Sequence, residues 1–104
     1  MIRHCVMLRL AAKADRAVLD RVMLGLADLV ERLEGCSGFF AGPNRDYEGK
    51  SPEFIYGFTL DAENAAALAV YAVNPEHQAL GAQLVALCEG GGDGIVVYDL
   101  EVSR

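Results

Sequence analysis

Two segments that alternate with the period of a β-strand carry apolar side chains on both of their faces, and this limits the folds open to the chain more than any other feature. From Ile2 to Leu10, Ile2, His4, Val6, Leu8 and Leu10 fall on one face and Arg3, Cys5, Met7 and Arg9 on the other. From Phe54 to Leu60, Phe54, Tyr56, Phe58 and Leu60 share one face, with Ile55, Gly57 and Thr59 opposite. A strand that is apolar on both sides must be covered twice, because a large bare patch is unstable in water.

The remaining elements supply one of those covers. Asp15 is placed to cap a helix of about 18 residues by pattern, in which Leu19, Val22, Met23, Leu26, Val30 and Leu33 follow helical spacing. Gly35 stops it. Cys36 to Gly42 reads as a second strand around Phe39 and Phe40, closed by the turn Gly42-Pro43-Asn44. Arg45 to Pro52 is a polar loop before the aromatic strand at Phe54. Asp61 is expected to cap a second helix running through Ala66, Leu68 and Tyr71. Asn74-Pro75 interrupts that helix, since Asn74 is a good cap and Pro75 a good first residue of a new helix carrying His77, Leu80, Leu84 and Leu87. Gly90 to Gly94 lacks the Gly-Lys-Ser/Thr ending of a phosphate loop and reads as a flexible turn into a last strand, Ile95 to Val102.

The order β-α-β-β-α-β is the ferredoxin-like α+β arrangement, a four-stranded antiparallel sheet with helices on one face only. The second face then needs another sheet. A further copy of the same chain, related by a two-fold axis, is the simplest source, so a homodimer is expected.

A length of 104 residues allows a single domain, and with 53% hydrophobic and 23% charged residues the composition is that of a folded protein. The formal charge of −6, with basic residues scattered from Arg3 to Arg104, argues against nucleic acid and against acidic membrane surfaces as partners. No apolar run reaches the length of a bilayer span or a signal peptide, so a cytoplasmic location is expected. Cys5, Cys36 and Cys88 show no paired spacing and are expected to be reduced. Two histidines without further suitably spaced ligands make no zinc site, and neither a metal nor a cofactor is expected.

Several of these residues together resemble the stress-responsive dimeric α/β-barrel (Dabb) family over residues 2–100: His4 in an early strand, Gly42-Pro43-Asn44 after the second, Tyr71-x-x-Asn74-Pro75-x-His77 across the helix break, and Tyr98-Asp99 in the last strand. The resemblance implies a homodimer in which two sheets form a barrel, each protomer keeping a pocket between sheet and helices. Some members, the plant polyketide cyclases similar to olivetolic acid cyclase, close a poly-β-keto chain by proton abstraction. By that resemblance His77 matches the base, Tyr71 its partner and His4 the strand histidine. Members often carry a second histidine before the proline, where this chain has Asn74.

Read from the residues themselves, His77 is the third residue of its helix, where the positive end of the dipole favours the neutral imidazole, a form able to accept a proton. Tyr71 is within reach of its ring nitrogen or of a substrate oxygen. The plainer alternative is that the two satisfy each other and hold the break in shape. His4 is a second pocket group or a hydrogen-bonded core residue. Asn44 lies at a pocket entrance or serves its turn. Phe39, Tyr56 and Phe58 grip an apolar ligand or fill the core, the latter favoured for such a stripe. Asp99 has no evident sequence partner and reads as a solvent or interface group. The functional reading is a small-molecule pocket with acid–base activity on an apolar carbonyl compound. The alternatives are a non-enzymatic ligand-binding or stress-associated structural dimer and a cofactor-free monooxygenase.

Overall fold

A computed structural model describes residues 1–103. Its elements are β1 (Ile2–Leu8), α1 (Arg16–Arg32), β2 (Cys36–Pro43), β3 (Tyr56–Ala62), α2 (Ala65–Val73), α3 (Pro75–Leu87) and β4 (Ile95–Glu101), with a short 3₁₀ turn at Gly91–Gly94 before β4. The strands form one antiparallel sheet in the order β2-β3-β1-β4, so the chain has the ferredoxin-like arrangement with its second helical region in two pieces.

Alternation along β1 decides what the sheet buries. Val6 and Leu8 face the helices and are buried with Phe58 and Leu60 of β3. From α1, Leu19, Val22, Met23, Leu26, Leu29 and Val30 close over them, and Leu84 and Leu87 of α3 complete the core. The opposite face carries Cys5 and Met7 of β1 beside Val96, Tyr98 and Leu100 of β4; the helices lie on the other side, and the loop of residues 44–54 borders this face only at the end near Met7 and Val96. Phe40 is 74% exposed, Tyr98 57% and Leu100 52%.

Local chemistry sets the boundaries. Asp15 caps α1 by accepting from the amides of Ala17 and Val18. Gly35 turns the chain at φ +85°, and a Cβ there would come within 2.9 Å of Ala67 Cβ, so glycine is needed for both conformation and close packing. In β2 a bulge between Ser37 and Phe40, with Gly38 at φ +65°, bends the strand at the sheet edge while Phe39 packs on the core.

Four sequence expectations are corrected. Asp61 does not cap α2; it stays in β3 opposite Arg3, whose Nε donates to it at 2.8 Å, and Asn64 caps the helix by accepting from Ala67 N at 2.9 Å. The guanidinium outcompetes a helix end for the carboxylate, and Asn64 is the next residue able to cap. β3 starts at Tyr56 rather than Phe54, because Phe54 N turns back to Ser51 O. β1 ends at Leu8, and Leu10 makes only an isolated bridge to Cys88. The glycine segment is tied down, with Arg9 N donating to Gly94 O at 2.7 Å. Cys5, Cys36 and Cys88 are all free thiols.

Candidate functional site

The helix break builds the site. Asn74 leaves α2 in an extended conformation at φ −61°, ψ 130°, its backbone N donating to Tyr71 O, and its Oδ1 accepts from Glu76 N at 2.8 Å and His77 N at 3.4 Å, so one residue ends α2 with its backbone and caps α3 with its side chain. Pro75 at the first position of α3 has no amide proton to leave unpaired. The turn brings His77 back over the end of α2, where the last carbonyls lack helical partners. One of these, Ala72 O, lies 3.0 Å from His77 Nδ1.

That contact fixes the tautomer. A carbonyl oxygen only accepts, so Nδ1 carries the proton and the lone pair of the neutral ring sits on Nε2. Nε2 makes no bond among the described residues. Burial pushes the His77 pKa down from its ordinary 6.5, the bond to Ala72 opposes this, and His4 lowers it further.

Tyr71 connects the two histidines. Its ring centre lies 4.3 Å from that of His77 and 5.9 Å from that of His4, the latter edge-on at 71°. It is 1% exposed, the one buried residue of α2, and its hydroxyl has no partner among the described residues. Burial pushes the phenol well above its ordinary value and so keeps it protonated, with Cys36 adding to the effect.

His4 projects from β1 on the helix side of the sheet, paired in register with Leu60 on β3 and Asp99 on β4. Its Nδ1 meets Asp99 Oδ1. Asp99 keeps an exposed side chain, 46% accessible, yet has a partner that the sequence did not show: residues directly opposite on adjacent strands share a face, and this one pairs across a long sequence separation.

These groups border one cavity of about 440 Å³ between the end of the sheet and α2. Its apolar wall is Ile2, Ala65, Leu68, Ala69 and Ala72; its polar groups are His4, Tyr71, His77 and Asp99. Sequence reasoning missed Asp99 and the alanine wall; the signal for the wall was the alanine-rich run Ala65-Ala66-Ala67 ahead of Tyr71.

The four residues expected to line a ligand pocket lie elsewhere. Asn44 spends its side chain on the loop: Nδ2 donates to Ser51 Oγ at 2.9 Å and Phe54 O at 2.8 Å, and Oδ1 accepts from Asp46 N at 2.9 Å. Phe39 stacks on Phe58 at 5.4 Å, and Phe58 is core. Tyr56 packs half-buried beside them, bordering with Phe39 a separate surface cleft along α1. Among the described residues no group of three or more His, Cys, Asp or Glu is placed to hold a metal ion, and no helix is long and apolar enough to cross a membrane.

Comparison with solved structures places this geometry among known folds. A dimeric ferredoxin-like protein of unknown function from Jannaschia sp. CCS1 is 44% identical, with a TM-score of 0.85 over 97% of this chain and 98% of that one. Hydroxynitrile lyase from Passiflora edulis shares the fold at 14% identity, TM-score 0.82, over 99% of this chain and 94% of that one. A dimeric ferredoxin-like protein from Thermobifida fusca does so at 15% identity, TM-score 0.77, over 97% and 90%. A search of curated proteins finds no match. With the family model matching residues 2–102, the chain belongs to the stress-responsive A/B barrel domain family.

Proposed function

We propose that the protein is a homodimer whose protomers each use the cavity between sheet and α2 for proton transfer on an apolar carbonyl compound. His77 Nε2 takes a proton from the carbon beside the carbonyl, the Tyr71 hydroxyl donates to the oxygen that gains negative charge, and His4 is a second polar contact. The proton then returns from His77 to the same or a neighbouring carbon, so no other reactant is consumed.

One observation carries this reading: the Nδ1 proton of His77 is held by Ala72 O inside a largely apolar cavity. Such a ring has its Nε2 lone pair free and, with its pKa lowered, is neutral near pH 7, as a general base must be. The phenol of Tyr71 is unpartnered but closed off from the cavity in this structure, so its donation to the developing oxyanion requires the ring to shift toward the ligand.

The exposed residues Phe40, Tyr98 and Leu100 support the dimer, because the face they occupy is the one left bare by the helices. The 44%-identical relative from Jannaschia is described as dimeric.

The test is exchange of α-protons for deuterium in D₂O, followed by NMR on a panel of apolar ketones and 1,3-dicarbonyl compounds. Protein-dependent exchange that disappears in His77→Ala is the expected result. Tight binding without exchange would favour the non-enzymatic ligand-binding dimer instead.

A further inference from the structure

The cavity holds a second imidazole whose orientation is set as firmly as that of His77, by a different kind of group. His4 Nδ1 faces Asp99 Oδ1 across the β1–β4 ladder. An ionised carboxylate has no proton to give, so Nδ1 carries the hydrogen and the neutral ring keeps its lone pair on Nε2. The edge-on contact with the Tyr71 ring limits rotation of the imidazole. His4 Nε2 has no partner among the described residues, and the ring borders the cavity.

We propose that Asp99 is a positioning residue that turns His4 into a fixed hydrogen-bond acceptor, and that the cavity therefore selects neutral apolar molecules bearing a hydroxyl group. The inference rests on reading this cavity as the ligand site. With the Nδ1 protons of both histidines tied off, to Ala72 O and to Asp99, each imidazole in its neutral form presents only an acceptor. A ligand held at His4 Nε2 must donate a proton to it, as a hydroxyl group does. Ligand charge is limited as well. The Asp99 side chain is 46% exposed against 14% for His4, which puts a carboxylate at the cavity edge, in a chain of formal charge −6, and disfavours anions.

The chain has two histidines, so long-range ¹H–¹⁵N spectra of the labelled protein resolve two rings. At about pH 8.5, about two units above the ordinary imidazole value, both rings are expected as the Nδ1–H tautomer. In Asp99→Ala the His4 ring gains the Nε2–H form, which isolated imidazole side chains prefer, while the His77 ring keeps its pattern. Asp99→Lys is the second variant: an ammonium only donates, so it forces the His4 proton to Nε2. Backbone amide spectra verify that both fold. The binding arm compares 4-hydroxyacetophenone with acetophenone by titration. The wild-type protein is expected to prefer the hydroxylated compound by about tenfold, the worth of one hydrogen bond, and both variants to lose that preference. A His4 ring unchanged in the variants, or equal affinity for the two compounds in the wild type, would overturn the inference. Neither arm reads turnover, so a failure of proton transfer on carbonyl compounds shows separately as absent deuterium exchange.

Discussion

The imidazole of His77 lies against the phenol ring of Tyr71 with their centres 4.3 Å apart and their planes tilted by 46°, yet no hydrogen bond joins them. Each polar group is therefore unspent toward the other. His77 gives its Nδ1 proton to Ala72 O, and the Tyr71 hydroxyl gives its proton to nothing among the described residues. Packing holds the pair, and the chemistry of both is left for a third party.

Replacing His77 with Ala separates these roles. The side chain contributes one hydrogen bond across the helix break, so stability is expected to fall by about 1 kcal/mol. Loss of a general base costs far more, about 10²- to 10⁴-fold in the rate of deuterium exchange. Thermal melting beside the exchange assay checks this. A protein melting far lower yet exchanging at full rate would make the histidine architectural.

Tyr71→Phe is expected to act with opposite signs on stability and activity. A buried hydroxyl without a partner costs about 1–3 kcal/mol of desolvation, so removing it leaves the melting temperature level or raises it. The exchange rate is expected to fall about 10²-fold, the scale for losing one donor to an oxyanion. Parallel losses in both would mean that the hydroxyl has a structural partner.

The pH dependence follows from the lowered pKa of His77. A base whose folded value lies below 6.5 stays unprotonated further into acid than a free imidazole, so the acid limb of the rate profile is expected to have its midpoint under 6.5. For stability, the unfolded chain binds more protons between the two values. The contribution of the neutral ring is complete above 6.5 and is lost as pH falls through the folded value. Denaturation of wild type and His77→Ala across that window measures it, and the slope difference should vanish on the alkaline side.

The bare face of the sheet predicts its own test. Light scattering at micromolar concentration is expected to give about twice the chain mass of 11.2 kDa. Tyr98, which lies opposite Cys5 on that face and is 57% exposed, is expected on substitution by Asp to return the protein to single chains. A dimer that survives Tyr98→Asp unchanged would place the interface elsewhere.

What the sequence made legible and what it did not have one physical root. Asp15 and Asn74 were readable as caps because capping is decided within three residues. Asp61 misled for the converse reason: its ion pair with Arg3 spans 58 residues, and no local rule weighs that against a cap. Asp99 was missed in the same way, since its partner His4 is 95 residues away and becomes a neighbour only once the register of β1 on β4 is set. Asn44 was legible as a turn residue, but the three hydrogen bonds that tie its side chain to Asp46, Ser51 and Phe54 appear only once the loop is folded.

Of all α2, only Tyr71 belongs to the buried core, while Ala65, Ala69 and Ala72 face the cavity with the smallest side chain that still keeps a helix. The wall can thus be recut without disturbing the foundations. A methyl exchanged for a larger group at these positions changes the shape of the space and leaves the layer between α1 and the sheet as it was. What the cavity admits can therefore change without a change in the fold that holds it.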